Sequence, residues 1–153
     1  MLFGGFEFKN DVYCVKCNAF NTAVANNDYL PASGSFIDMA PFDHGVFLVG
    51  IGTLNTATPL AVQQDTSATA TGSIKAVTSA AQTIAANDDD KWATIEFNAN
   101  QLDRAGGFRY VTLKAADATG SDDFLCVFFL GFKKRKGPVT QETNYVHKVS
   151  VVT

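Results

Sequence analysis

Cys14 and Cys17 stand in a C-x-x-C spacing, which can serve zinc binding or dithiol chemistry. A structural zinc site needs a second pair, and the only other cysteine, Cys126, sits alone inside an apolar run. Dithiol chemistry needs a helix N-terminus after a strand to lower a thiol pKa. Here the motif lies in V-Y-C-V-K-C, a strand pattern, where residues three apart face opposite sides. The expectation is therefore small buried or interface side chains, not a metal or redox centre.

The remaining reactive residue types are just as scattered. His44 and His147 are the only histidines. Asp43 directly precedes His44 and Asp38 is nearby, but Pro41 and Gly45 place that stretch in a turn with nothing to fix ligand geometry. Asp88, Asp89 and Asp90 offer hard oxygen atoms without the glycine and distal glutamate of a calcium loop. They read as a solvated loop, or as an acidic knob that meets a basic neighbour. Glu96 and Asp103 are carboxylates for which no spacing argument implies a shared cleft. No serine occupies a nucleophile-elbow context. The sequence assigns no catalytic residue, metal ligand or cofactor, and the chain is expected not to be an enzyme.

The most distinctive charged feature is Lys133-Lys134-Arg135-Lys136, at the end of an apolar run and just before Gly137-Pro138. Residues 1–132 hold seven Lys or Arg against fourteen Asp or Glu, a net −7, whereas residues 133–153 are +4. An acidic body with a basic tail is expected to meet an acidic surface. A protein partner is favoured over nucleic acid, because the body has no basic field and no aromatic residue interleaves the cluster.

These residues must be positioned by a chain of 153 residues, the size of one ordinary domain with a real core. It is 46% hydrophobic, only 18% charged, and holds thirteen Phe. Polar cover comes from Thr, Ser, Asn and Gln, which suits strands and intermolecular contacts. No stretch approaches the roughly 20 apolar residues of a membrane span. The N-terminal residues lack the form of a signal peptide. An odd number of cysteines points to synthesis in a reducing cytoplasm.

Short Val-, Ile-, Thr- and Phe-rich runs broken by Gly, Asn and Asp predict an all-β, antiparallel β-sandwich in one domain. Expected strands are Asp11–Ala19, Val46–Leu54, Leu60–Gln64, Trp92–Phe97, Phe108–Lys114, Phe124–Phe132 and Val146–Val152. Val46–Leu54 and Leu60–Gln64 are expected to pair as a hairpin through a turn at 55–59. Phe124–Phe132, almost continuously apolar, is expected to be buried on both faces. The Ala-rich stretch from Ala76 to Ala86 contains Val77, Thr78, Thr83 and Ile84, which oppose a helix, and is read as strand and loop. The core is placed at about 45–132. Residues 1–44 and the arm 133–153 are assigned to intersubunit contacts.

The stretch from about Gly45 to Val139 resembles the small jelly-roll or β-sandwich decoration (cement) proteins of tailed-phage heads. The resemblance rests on GVFLVGIGTL, PLAVQQDTSATATGSIKAV, NDDD, WATIEFNANQLD, GFRYVTLKAADATGSDDF and LCVFFLGFKKRKGP, taken in that order. It implies a jelly-roll-like fold with extended arms. It further implies a structural virion protein on the capsid exterior, a homotrimer that bridges neighbouring major capsid subunits, with no catalytic residues, cofactor or small-molecule substrate. Expected contact residues are Phe3, Phe6 and Phe8 near the N-terminus, the cluster Lys133, Lys134, Arg135 and Lys136, and Val149 and Val151 in the last apolar stretch. In a strand Phe6 and Phe8 share one face, and 146–152 suits pairing with a neighbour's sheet edge. The alternatives are a tail, fibre or neck component, a single-jelly-roll major capsid protein, or a carbohydrate-binding module using Trp92 and Tyr110, each on the polar face of its strand.

Overall fold

A computed structural model describes residues 11–20, 23–71, 73–116 and 123–132. Nine strands run through them: β1 (Tyr13–Lys16), β2 (Asp28–Leu30), β3 (Ile37–Asp38), β4 (His44–Ile51), β5 (Thr58–Asp65), β6 (Lys75–Ile84), β7 (Trp92–Asn98), β8 (Tyr110–Ala115) and β9 (Leu125–Phe132). A 3-10 turn, Ala99–Gln101, follows β7. The first sheet has the order β1-β9-β4-β7 and the second β2-β8-β5-β6, with β3 also on β8. All pairings are antiparallel.

This order has a simple origin. β5 pairs with β6, β4 with β7, β2 and β3 with β8, and β1 with β9, so the chain is a nested hairpin doubled back on itself. Rolling that ribbon adds the β4–β9 and β5–β8 pairings and splits it into two facing sheets. The result is a β-sandwich, as the patterning predicted, with its strands in jelly-roll order.

The expected hairpin between Val46–Leu54 and Leu60–Gln64 is not formed, because β4 and β5 lie in different sheets. The intervening residues cross between the sheets instead of turning back. Asp89 Oδ1 accepts a hydrogen bond from Leu54 N at 2.9 Å. Asp123 accepts from Asn55 N at 2.7 Å and from the Thr58 hydroxyl at 2.9 Å. Gly52 N and Phe124 O, and Phe124 N and Thr53 O, tie the same crossing to the start of β9. Asp123 is buried, and these donors replace the water its carboxylate loses.

Alternation along each strand sends one face inward. Phe47, Phe97 and Phe129 form the aromatic centre, with ring centroids 5.3–6.5 Å apart. Phe42 meets Phe129 edge-on at 6.3 Å and stacks on Tyr13 at 5.2 Å. Space for these rings comes from Gly45 and Gly131, which face each other across β4 and β9. A β-carbon on Gly45 would come within 2.6 Å of Phe97, and one on Gly131 within 2.9 Å of Phe42.

Three further expectations are corrected. The core does not begin at 45, since Val12, Val15, Val24, Leu30, Ile37 and Met39 are all buried within it. β9 is not buried on both faces: Leu125, Val127, Phe129 and Gly131 point inward, while Cys126, Phe128, Leu130 and Phe132 are only half-buried on the outer face. Residues 108 and 109 precede β8, which starts at Tyr110. The Ala-rich stretch is strand, as read. Its buried positions Val77, Ala80 and Ile84 imitate helical spacing because a bulge, with Ser79 at φ +62°, interrupts the alternation.

Candidate interaction surface

The two outer faces of the sandwich differ in chemistry. On the second sheet β6 presents Lys75, Thr78, Ser79, Gln82 and Thr83 to solvent. On the first sheet the pairing places half-buried Leu48 beside half-buried Phe128, buried Val46 beside half-buried Leu130, and His44 beside Phe132. Cys14 on β1 lies next to Leu130, and Lys16 next to Phe128. The middle of this outer face is thus apolar, with Thr94, Glu96 and Asn98 of β7 along one margin.

At one end of this face lie Phe20, Trp92 and Phe124, which are 60%, 66% and 39% exposed. They are the exposed large apolar side chains among the described residues, and all three line one cleft of about 340 Å³ with Gly50, Asp90, Lys91 and Cys126. Trp92 opens β7 and pairs with Gly50. The Phe20 ring leans on Phe128 at 5.7 Å, and Lys16 Nζ sits 5.2 Å above its centroid.

The loop before Trp92 is internally bonded rather than a bare acidic knob. Asp88 accepts from Ala85 N at 3.0 Å and from Lys91 Nζ at 2.7 Å, and the Lys91 bond holds its carboxyl below the ordinary value. Asp89 holds the crossing segment. Asp90 adopts φ +58° and its carboxylate makes no hydrogen bond among the described residues.

The other chemical candidates go to separate partners. Cys14 is half-buried on the outer face and Cys17 buried in the core, as strand geometry required. Burial pushes the Cys126 thiol up, the direction of an unreactive thiol. His44, expected in a turn, is the first residue of β4, where Nδ1 meets Asn98 Oδ1 at 3.1 Å and Nε2 lies 3.6 Å from Glu96. Asp38 pairs with Arg109 at 2.8 Å. Asp103 pairs with Lys75, whose ammonium also lies 4.0 Å from the Phe108 centroid. Glu96 and Asp103 therefore meet different partners, His44 and Lys75. Among the described residues no group of His, Cys, Asp or Glu is placed to hold a metal ion. No helix there is long and apolar enough to cross a membrane.

Phe3, Phe6, Phe8, Lys133, Lys134, Arg135, Lys136, Val149 and Val151, the expected contact residues, lie outside the described residues, as does His147. Trp92 and Tyr110, paired above as a glycan platform, belong to different sheets. Sequence reasoning missed Phe20 and Phe124. The available signal was a lone aromatic among small polar neighbours at 20, and one directly after a Ser-Asp-Asp loop at 124. No known protein family, curated protein or solved structure matches the chain.

Proposed function

We propose that this chain is a structural virion protein, a decoration or cement protein that binds the outside of a tailed-phage head and bridges major capsid subunits. The observation that carries this reading is the apolar outer face of the first sheet, centred on Leu48, Phe128 and Leu130. An apolar patch on one outer face, opposite a polar one, is the expected anatomy of a contact surface. Bridging needs contact area, and a rigid sandwich with a buried aromatic centre supplies a stable platform for it. The jelly-roll order supports the reading at the level of fold, which hosts capsid and lectin domains alike.

In this account the partners are the major capsid protein and further copies of the chain in a homotrimer. The location is the capsid exterior, after synthesis in the host cytoplasm. In this reading Phe3, Phe6 and Phe8 and the basic cluster from Lys133 to Lys136 also take part in the contact. The test is co-sedimentation with expanded, undecorated heads assembled from the major capsid protein of the same genome. Saturable binding that raises the temperature of head disruption supports the proposal.

A further inference from the structure

We infer that the cleft between Trp92, Phe124 and Phe20 is a binding site for a neutral sugar ring of an oligosaccharide. This site lies at one end of the same outer face and meets its apolar middle where Phe20 packs on Phe128, but the inference does not rest on the capsid reading.

Trp92 provides the platform. It is 66% exposed although it sits on a paired strand, and it is held over Gly50, where a β-carbon would meet Cζ3 at 3.1 Å and Cη2 at 3.2 Å. The absence of a side chain at 50 lets the indole lie on the sheet and keeps it available to solvent. A pyranose presents a face of axial C–H groups that packs on such a ring, and tryptophan offers the largest rigid apolar area for this. Phe124 and Phe20 border the same cleft. Its volume, about 340 Å³, lies at the small end for ligand clefts and suits one or two sugar rings.

Asp90 selects among ligands. Asp90 lines the cleft as an exposed residue whose side chain has no hydrogen-bond partner among the described residues, on a backbone held at φ +58°. An apolar protein side chain filling the cleft would desolvate that carboxylate without pairing it, which is costly. A sugar hydroxyl would pair it. A cationic ligand is disfavoured by the chain's own cations: Lys16 already stands over the Phe20 ring, and Lys91 lines the cleft. An acidic ligand would face Asp90. What remains is a neutral, hydroxyl-rich ring with one apolar face.

Trp92 is the only tryptophan, so its emission reports this site alone. The full chain is titrated with cello-, chito-, xylo- and manno-hexaose, and with tetramethylammonium chloride, while calorimetry follows the same mixtures. The expected result is a saturable change in emission and heat with at least one hexaose and none with the ammonium salt. By calorimetry, Trp92→Ala should weaken that hexaose about tenfold or more, the equivalent of one aromatic contact. Asp90→Asn should weaken it by a smaller factor. Both side chains are exposed, and thermal melting of each variant checks that the fold is retained. No saturable binding to any of the four sugars overturns the proposal. So does equal affinity in a folded Trp92→Ala variant, or preferential binding of tetramethylammonium. None of these outcomes bears on head binding, which is measured separately.

Discussion

Gly50 on β4 and Trp92 on β7 are cross-strand partners, and the indole occupies the space over position 50 that any other residue would fill. The contact is with the far end of an exposed side chain, so a larger residue at 50 would move the ring without disturbing the core. Gly50→Val is expected to change stability by less than about 1 kcal/mol, since no core volume changes. It should also shift the emission maximum and quantum yield of Trp92. Unchanged emission in a folded variant would mean that Gly50 does not position the ring.

Gly45 and Gly131 pose the opposite case, because the atoms that crowd them are buried rings of Phe42, Phe97 and Phe129. Overpacking a close-packed interior typically costs about 1–3 kcal/mol. Gly131→Ala and Gly45→Ala should each lose about that much in urea unfolding. The two positions face each other, so the double variant should depart from additivity.

Asp123 tests the crossing between the sheets. Its carboxylate is buried and takes hydrogen bonds from Asn55 N and the Thr58 hydroxyl. Asp123→Ala would remove the short acceptor of the buried Thr58 hydroxyl, leaving it the longer bond to Thr56 O at 3.3 Å, and would take one acceptor from Asn55 N, at about 1–3 kcal/mol in all. The loss should shrink when Thr58 is also replaced by Val, since removing both partners costs less than orphaning one. A loss unaffected by Thr58→Val would show that the hydroxyl contributes nothing.

Stability should respond to acid in a definite direction. The Lys75 ammonium and the Gly106 amide hold the Asp103 carboxyl below its ordinary value of 3.8, and Lys91 does the same for Asp88. A carboxyl with a depressed folded-state pKa stabilises the fold above its unfolded value and loses that contribution as pH falls through the folded one. Melting temperature is therefore expected to be level from neutral pH to about 5 and to fall below about pH 4. Both groups are exposed, so the effect is small and weakens with salt. Lys75→Met should reduce the slope below pH 4.

The strands that alternate cleanly were legible in the sequence. β7 and β8 each show one apolar and one polar face, and their identity as strands follows from period two alone. What the pattern does not carry is pairing. β4 and β5 are neighbours in sequence with a turn-like stretch between them, yet nested long-range pairing separates them. Local signals cannot reveal that, because the decisive contacts come from Asp89 and Asp123, far along the chain. The early strands were hidden for a different reason. β2 and β3 have only three and two residues, too few to show a period, although together they cover β8. The aromatic cleft escaped because Phe20, Trp92 and Phe124 come from three separate parts of the chain. Only Trp92, on the polar face of its strand, stood out beforehand.

The central claim is that the apolar outer face of the first sheet meets a capsid. Its most direct test is co-sedimentation of wild type, Leu48→Glu/Phe128→Glu and Gln63→Glu with expanded, undecorated heads from the same genome. Leu48 and Phe128 are cross-strand neighbours on that outer face, whereas Gln63 belongs to the second sheet. The account predicts saturable binding of wild type and Gln63→Glu and at least tenfold weaker binding of the folded double variant, about 1.4 kcal/mol or more. Wild-type protein that stays in the supernatant at all ratios, or a double variant that binds as tightly as wild type, would contradict it.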